Sequence, residues 1–167
     1  MKQALAVLVA AACACALPAV IGAQAVTDAA KMVQIFSAPL KTDGGTFQVV
    51  ILNDRTVEAI FGNSPAKAAF RTKARMAGLF FVQGVASKDF DFKPAATIVQ
   101  KGETLEGKAT PMSKNFVAGK IAKGDKVQGL IEFPKKIDLF EPFKFTMNGQ
   151  TAEFRLNEDD VRDYGNK

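Results

Sequence analysis

Beyond residue 25 this chain has no histidine, no cysteine and no tryptophan, and its one tyrosine is Tyr164. Each absence closes a class of chemistry. Without histidine or cysteine there is no Ser–His or Cys–His nucleophile pair, and the usual zinc and copper ligand sets cannot be assembled. Without cysteine no disulfide can staple the domain, so a hydrophobic core must hold it alone. Without tryptophan and with one tyrosine there is almost no aromatic platform for a sugar ring. That weighs against a glycosidase, whose paired carboxylates also need such a platform, and against a carbohydrate-binding module.

Other catalytic patterns are equally thin. Ser87-Lys88 and Ser113-Lys114 put serine beside lysine, but neighbours on a strand point to opposite faces, which a Ser–Lys hydrolase cannot use. Asp43-Gly44-Gly45 and Gly102-Glu103-Thr104 lack the Lys-Ser/Thr ending of a phosphate loop. The acidic run Glu158-Asp159-Asp160, with Asp163, lacks the alternating ligands and central glycine of a calcium loop. The expectation is a protein that is not an enzyme and uses no cofactor or metal.

What the chain does contain begins with an export signal. Lys2 supplies a positive start, Ala4–Leu17 is uncharged, Pro18 breaks it, and Ala23-Gln24-Ala25 is a small-x-small cleavage site. The apolar run is shorter than the roughly 20 residues a spanning helix needs. Cleavage after Ala25 would remove Cys13 and Cys15 and leave a periplasmic or secreted bacterial domain without a transmembrane segment. Lipidation of Cys13 is the alternative, although Ala10-Ala11-Ala12 lacks the leucine usual before such a cysteine. Residues 26–156 read as a single domain, and 157–167 as a solvated acidic tail.

Charge is uneven. From Ser64 to Lys123 there are eleven basic and four acidic residues, and both flanking segments are slightly acidic. Such a basic middle steers anions and anionic surfaces toward a protein. A solvated lysine-rich surface is the plainer reading.

Short segments rich in Phe, Val, Ile and Thr alternate with Gly, Pro, Asn and Asp, the pattern of an antiparallel sandwich or barrel. The strands expected are Met32–Ser37, Thr46–Leu52, Thr56–Phe61, Leu79–Ala86, Ala95–Lys101, Val127–Phe133, Phe143–Met147 and Thr151–Leu156. Asn148-Gly149 is a two-residue hairpin turn. It sets Met147 opposite Gln150, Phe145 opposite Ala152 and Phe143 opposite Phe154, with Thr146–Thr151 and Lys144–Glu153 on the other face. Lys123-Gly124-Asp125-Lys126 is a turn leading into a strand that puts Val127, Ile131 and Phe133 on one face, and Pro134 ends it.

Residues 64–77 admit two readings. As a helix, Ser64 caps, Pro65 opens and Gly78 stops it. Phe70, Ala74 and Ala77 then face the sheet and Lys67, Arg71 and Arg75 form an outward stripe. As a strand, Phe70, Thr72, Ala74 and Met76 share a face.

Fourteen phenylalanines are the main core material. Phe has no polar handle and suits a dry interior. Phe36, Phe47, Phe80, Phe133, Phe145 and Phe154 occupy core positions, Phe80 and Phe81 must diverge, and Phe90 and Phe92 share a parity. A Phe-lined cavity for an acyl chain or other apolar ligand is the alternative to a filled core. For nucleic acid, the basic segment offers only Phe70, directed inward, so no specific nucleic-acid surface is expected.

Lys120-Ile121-Ala122-Lys123-Gly124-Asp125-Lys126-Val127-Gln128-Gly129-Leu130-Ile131-Glu132-Phe133-Pro134, Ile137-Asp138-Leu139 and the closing hairpin resemble the immunoglobulin-like (telokin-like) domains of bacterial exported proteins. The resemblance covers Leu79–Leu156, about half of the chain, and implies an all-β, antiparallel immunoglobulin-like sandwich without catalytic residues. The chain departs from the family in lacking Asn-rich strand ends after Leu79–Ala86. The functional expectation is an exported, non-enzymatic binding or structural module that contacts an envelope protein or anionic surface through Lys67, Arg71, Lys73 and Arg75. Its alternative is a small carrier enclosing an apolar ligand.

Overall fold

A computed structural model describes residues 23–165, with side chains described from Asp28 onward. Most of the predicted leader, including Lys2, Cys13 and Cys15, lies outside the described residues, and Ala23–Ala25 begin the first helix. Among the described residues no helix is long and apolar enough to cross a membrane.

The chain runs through helix α1 (Ala23–Ile35), strands β1 (Ser37–Thr42) and β2 (Gly45–Ile51), helices α2 (Asp54–Phe61) and α3 (Lys67–Met76), and strand β3 (Gly78–Val85). Next come β4 (Phe90–Phe92), β5 (Ala96–Gln100), β6 (Glu103–Pro111), β7 (Gly119–Ile121), β8 (Lys126–Phe133), β9 (Phe143–Met147), β10 (Gln150–Phe154) and helix α4 (Glu158–Tyr164). All pairings are antiparallel. Eight strands form one sheet in the order β1-β2-β3-β8-β6-β5-β9-β10, and β4 with β7 makes a separate ribbon. The terminal strands β1 and β10 lie side by side, so the sheet curls almost closed.

The antiparallel β expectation holds, with corrections. Met32–Ser37 is mostly the end of α1: alanine-rich sequence carries the helix forward to Ile35, with Met32 buried and Val33 packed on one of the two cores. Thr56–Phe61 is also helical. Asn53 caps α2 by accepting from the Arg55 and Thr56 amides at 2.9 Å each, while Thr56 Oγ1 accepts from the Asn53 amide at 2.8 Å. This reciprocal capping outweighs the strand preference of Thr56 and Val57. Residues 64–77 resolve as helix, although it starts later than expected. Ala66, not Ser64, occupies the capping position, and Ser64 accepts from the Ala66 amide at 3.2 Å.

The concave face holds the larger core. Phe36, Phe47, Phe80, Phe133, Phe145 and Phe154 are all buried within it, each contributing about 1.5–3 kcal/mol. Phe80 sits at its centre, 5.4–6.0 Å from the rings of Phe133, Phe143, Phe145 and Phe154. Gly129 makes room for another ring: a Cβ there would meet Phe116 at 2.1 Å. On the convex face, Val50, Leu52, Leu79, Phe81 and Leu130 pack beneath α2 and α3 as a second core. Phe80 and Phe81 thus diverge as expected, into two cores.

The closing hairpin has the predicted register throughout. Asn148 and Gly149 have φ of 53° and 72°, Thr146 and Thr151 hydroxyls meet at 2.9 Å, and Lys144 reaches Glu153 at 3.5 Å. Residues 157–165 are not a solvated tail. Asn157 accepts from the Asp159 amide at 2.8 Å to cap α4, three acidic residues suit its positive end, and Val161 is buried while Tyr164 packs on the larger core.

Candidate functional site

The four basic residues expected to meet a partner each form an ion pair within the chain. Asp54 and Glu58 stand one turn apart on α2, and Lys67, Arg71 and Arg75 stand one turn apart on α3. The two rows interlock: Lys67 and Arg71 pair with Glu58, and Arg75 pairs with Asp54. Lys73 pairs with Glu132 on β8. The Asp54 carboxylate, mainly by accepting a hydrogen bond, raises the Arg75 guanidinium above its usual value. Reading Thr56–Phe61 as a strand concealed the acidic row, because it left no second helix beside α3 to carry Asp54 and Glu58 one turn apart. The α3 stripe is a helix–helix seam, and its charge is largely compensated.

Uncompensated charge lies elsewhere. Among the described residues, Lys88, Lys114, Lys123 and Lys126 make no ion pair. Their backbones come together at the β4–β7 end, where the Ala86 amide donates to the Asp125 carbonyl, Asp89 accepts from the Lys123 amide, and Asn115 donates to the Lys126 carbonyl.

At the other end of the sheet is a cavity of about 300 Å³. Its floor is the end of β2 and the start of β3, through Ile51, Leu52, Leu79 and Phe80. Ala74 and Ala77 close one side, α4 contributes Val161 and Arg162, and residues 136–140 form the last wall. That last segment is a strap between β8 and β9. Gly78 donates to the Lys135 carbonyl at 2.9 Å, and a side chain at Gly78 would strike Ile137 at 2.9 Å. Gln100 binds the Asp138 backbone on both sides, donating at 2.8 Å and accepting at 3.1 Å. Lys101 joins Asp138 at 3.0 Å and Glu141 at 3.3 Å. The Lys101 hydrogen bond holds the Asp138 carboxyl below its usual value, and Lys101 is raised in return by Asp138 and Glu141.

Asn53 also lines this cavity and is fully buried. Its Oδ1 is committed to the first amides of α2, which fixes the amide orientation, and its Nδ2 has no hydrogen-bond partner. Nothing in the sequence reading singled out Asn53. The signal available was Asn53-Asp54-Arg55-Thr56, a capping sequence directly after an apolar run.

No protein family, curated protein or solved structure matches this chain. Ser87 donates to the Gly44 carbonyl at 3.0 Å, and Ser113 accepts from the Gln128 amide at 3.0 Å, so both hydroxyls are spent on backbone. Asp138 is displaced downward, opposite to the direction a general acid needs at neutral pH. Among the described residues no group of three or more acidic side chains is placed to hold a metal ion.

Proposed function

We propose that this chain is an exported, non-enzymatic binding protein that carries a small apolar molecule in the cavity between α3, α4 and the 136–140 strap. The observation that carries this reading is a space of about 300 Å³ walled mainly by Ile, Leu, Ala and Phe, at the lower end of the range for small-molecule sites. The cavity adjoins a rigid Phe core, so its floor is held in place rather than formed on binding. The sheet interior is filled by rings, which moves the carrier reading from the centre of the barrel to its end.

Native mass spectrometry after gentle purification should show an added mass of a few hundred daltons. Ala77→Phe, which fills the space from its wall, should abolish that mass. A bare wild-type chain that also fails to take up an apolar probe would overturn the proposal.

A second reading, contact with an envelope protein or anionic surface, is favoured by the lysines at the β4–β7 end. It also fits the immunoglobulin-like affinity suggested by the Gly124 turn, β8 and the closing hairpin. On that reading Lys88, Lys123 and Lys126 changed to glutamate weaken retention on heparin or anionic vesicles at low salt. The same reversal of Lys67, Arg71 and Arg75 has less effect, because those cations already have partners.

A further inference from the structure

We infer that the cavity selects ligands bearing a hydrogen-bond acceptor of the carbonyl type, and that Asn53 Nδ2 is the group that reads it. The inference rests on the carrier reading above and adds the ligand's chemical class. It follows from three observations on one residue. Asn53 is fully buried and stands on the cavity wall. Its Oδ1 accepts from two backbone amides of α2, so the side-chain amide cannot turn round without breaking the cap. Its Nδ2 is consequently a donor, and it is left without a partner.

A buried donor without an acceptor is costly, and native interiors rarely keep one. Capping alone does not explain the choice of asparagine. Aspartate or serine caps a helix as well and brings no second donor. The requirement met by asparagine alone among these is a fixed, buried N–H at a residue that borders the cavity. Its complement is an oxygen acceptor carried on an apolar skeleton, as in a ketone, ester or amide. Lys136, Asp138 and Arg162 line the same space, so Asn53 reads the acceptor atom and not the net charge of the ligand.

Two probes of one skeleton separate the claims: ethylbenzene, and acetophenone, in which a carbonyl replaces one methylene. In ¹⁵N-labelled wild-type protein both should perturb amides around the cavity, including that of Phe140, and only acetophenone should move the Asn53 side-chain NH₂ resonances. Asn53→Asp keeps the cap but replaces the donor with an acceptor. It should worsen the affinity ratio of acetophenone to ethylbenzene by about tenfold, the effect expected of one hydrogen bond to an otherwise unpaired donor.

If both probes bind and the Asn53 resonances respond to neither, the carrier reading stands and the role of Asn53 is overturned. Binding of neither probe overturns both. Should the aspartate variant fail to fold, the wild-type resonances alone decide the matter.

Discussion

The half of the sheet around β2 and β3 is buried on both faces where α2 and α3 cover it, whereas the half made by β5, β9 and β10 is buried on one. The sequences record the difference. Val49-Val50-Ile51-Leu52 and Leu79-Phe80-Phe81-Val82 are continuous apolar runs, and every one of these residues is buried. The bare half alternates: Phe143, Phe145 and Met147 point inward while Lys144 and Thr146 face solvent or are half-exposed. A strand covered on both sides has no use for alternation, and a strand with one wet face does. The covered half also carries α2 and α3, and one wall of the cavity grows from their junction with the sheet. The candidate site is a by-product of the second layer.

The largest test of this contrast compares outward-facing residues. Phe81 is 3% exposed and packs edge-on against Phe61 at 5.3 Å, whereas Val99 on the bare half is 39% exposed. Phe81→Ala should cost about 3–5 kcal/mol of unfolding free energy in urea titrations. Val99→Ala should stay within about 0.5 kcal/mol. Similar values for both would mean that the helices do not form a real second core.

The same contrast explains how much could be read from sequence. On the bare half, the Asn148-Gly149 turn and alternating residues specify one register, and the hairpin follows it residue by residue. On the covered half, the apolar runs say only "buried", and what buries them had to be inferred from the segments between. There, Thr56-Val57-Glu58-Ala59-Ile60-Phe61 is rich in strand formers, yet Val57, Ile60 and Phe61 also fit one helical face, and the capping residues upstream decide the matter. Propensity favoured the strand, while capping and burial against Phe81 impose the helix. Two further hairpins turn at glycines that a comparison with phosphate loops alone does not reveal. Asp43-Gly44 turns β1 into β2, and Lys101-Gly102, with φ of 51° and 79°, turns β5 into β6. The cavity itself was not legible. It depends on three segments distant in sequence (the α2 cap, the strap and α4), and no local pattern announces their meeting.

An intermediate effect is expected from the charges on the two halves. Glu58 bridges both Lys67 and Arg71 on α3, whereas Glu153 meets only Lys144 across the bare hairpin. These groups are substantially exposed, so each pair is worth roughly 0.2–1 kcal/mol. Glu58→Gln should therefore cost about 0.5–1 kcal/mol at low salt, and Glu153→Gln about half of that or less. Added salt should shrink both, since exposed pairs are screened. A Glu58→Gln cost that persists undiminished in about 1 M salt would mean that the seam is held by packing, not by charge.

The smallest effect concerns the strap, the one covering that the bare half helps to hold. Asp138 is kept below its usual carboxyl value chiefly by the Lys101 hydrogen bond, with help from the Phe140 amide. A carboxyl depressed by folding stabilises the folded state fully above its unfolded value of 3.8, and that contribution is lost as pH falls through the lower folded value. Lys101 works in the opposite sense. Raised by Asp138 and Glu141, it contributes fully below 10.5, and its contribution is lost as pH rises through the higher folded value. The strap is therefore held best between 3.8 and 10.5, and acid should loosen it while the Asn148-Gly149 hairpin keeps its register. Followed by NMR, the Phe140 amide, which donates to Asp138 Oδ1 at 3.1 Å, should titrate with a midpoint below 3.8, and Asp138→Asn should abolish that step. A midpoint at or above 3.8 would mean that Lys101 does not hold the strap in solution. The cavity would then have three fixed walls and one loose one, and ligand entry past residues 136–140 would be insensitive to acid.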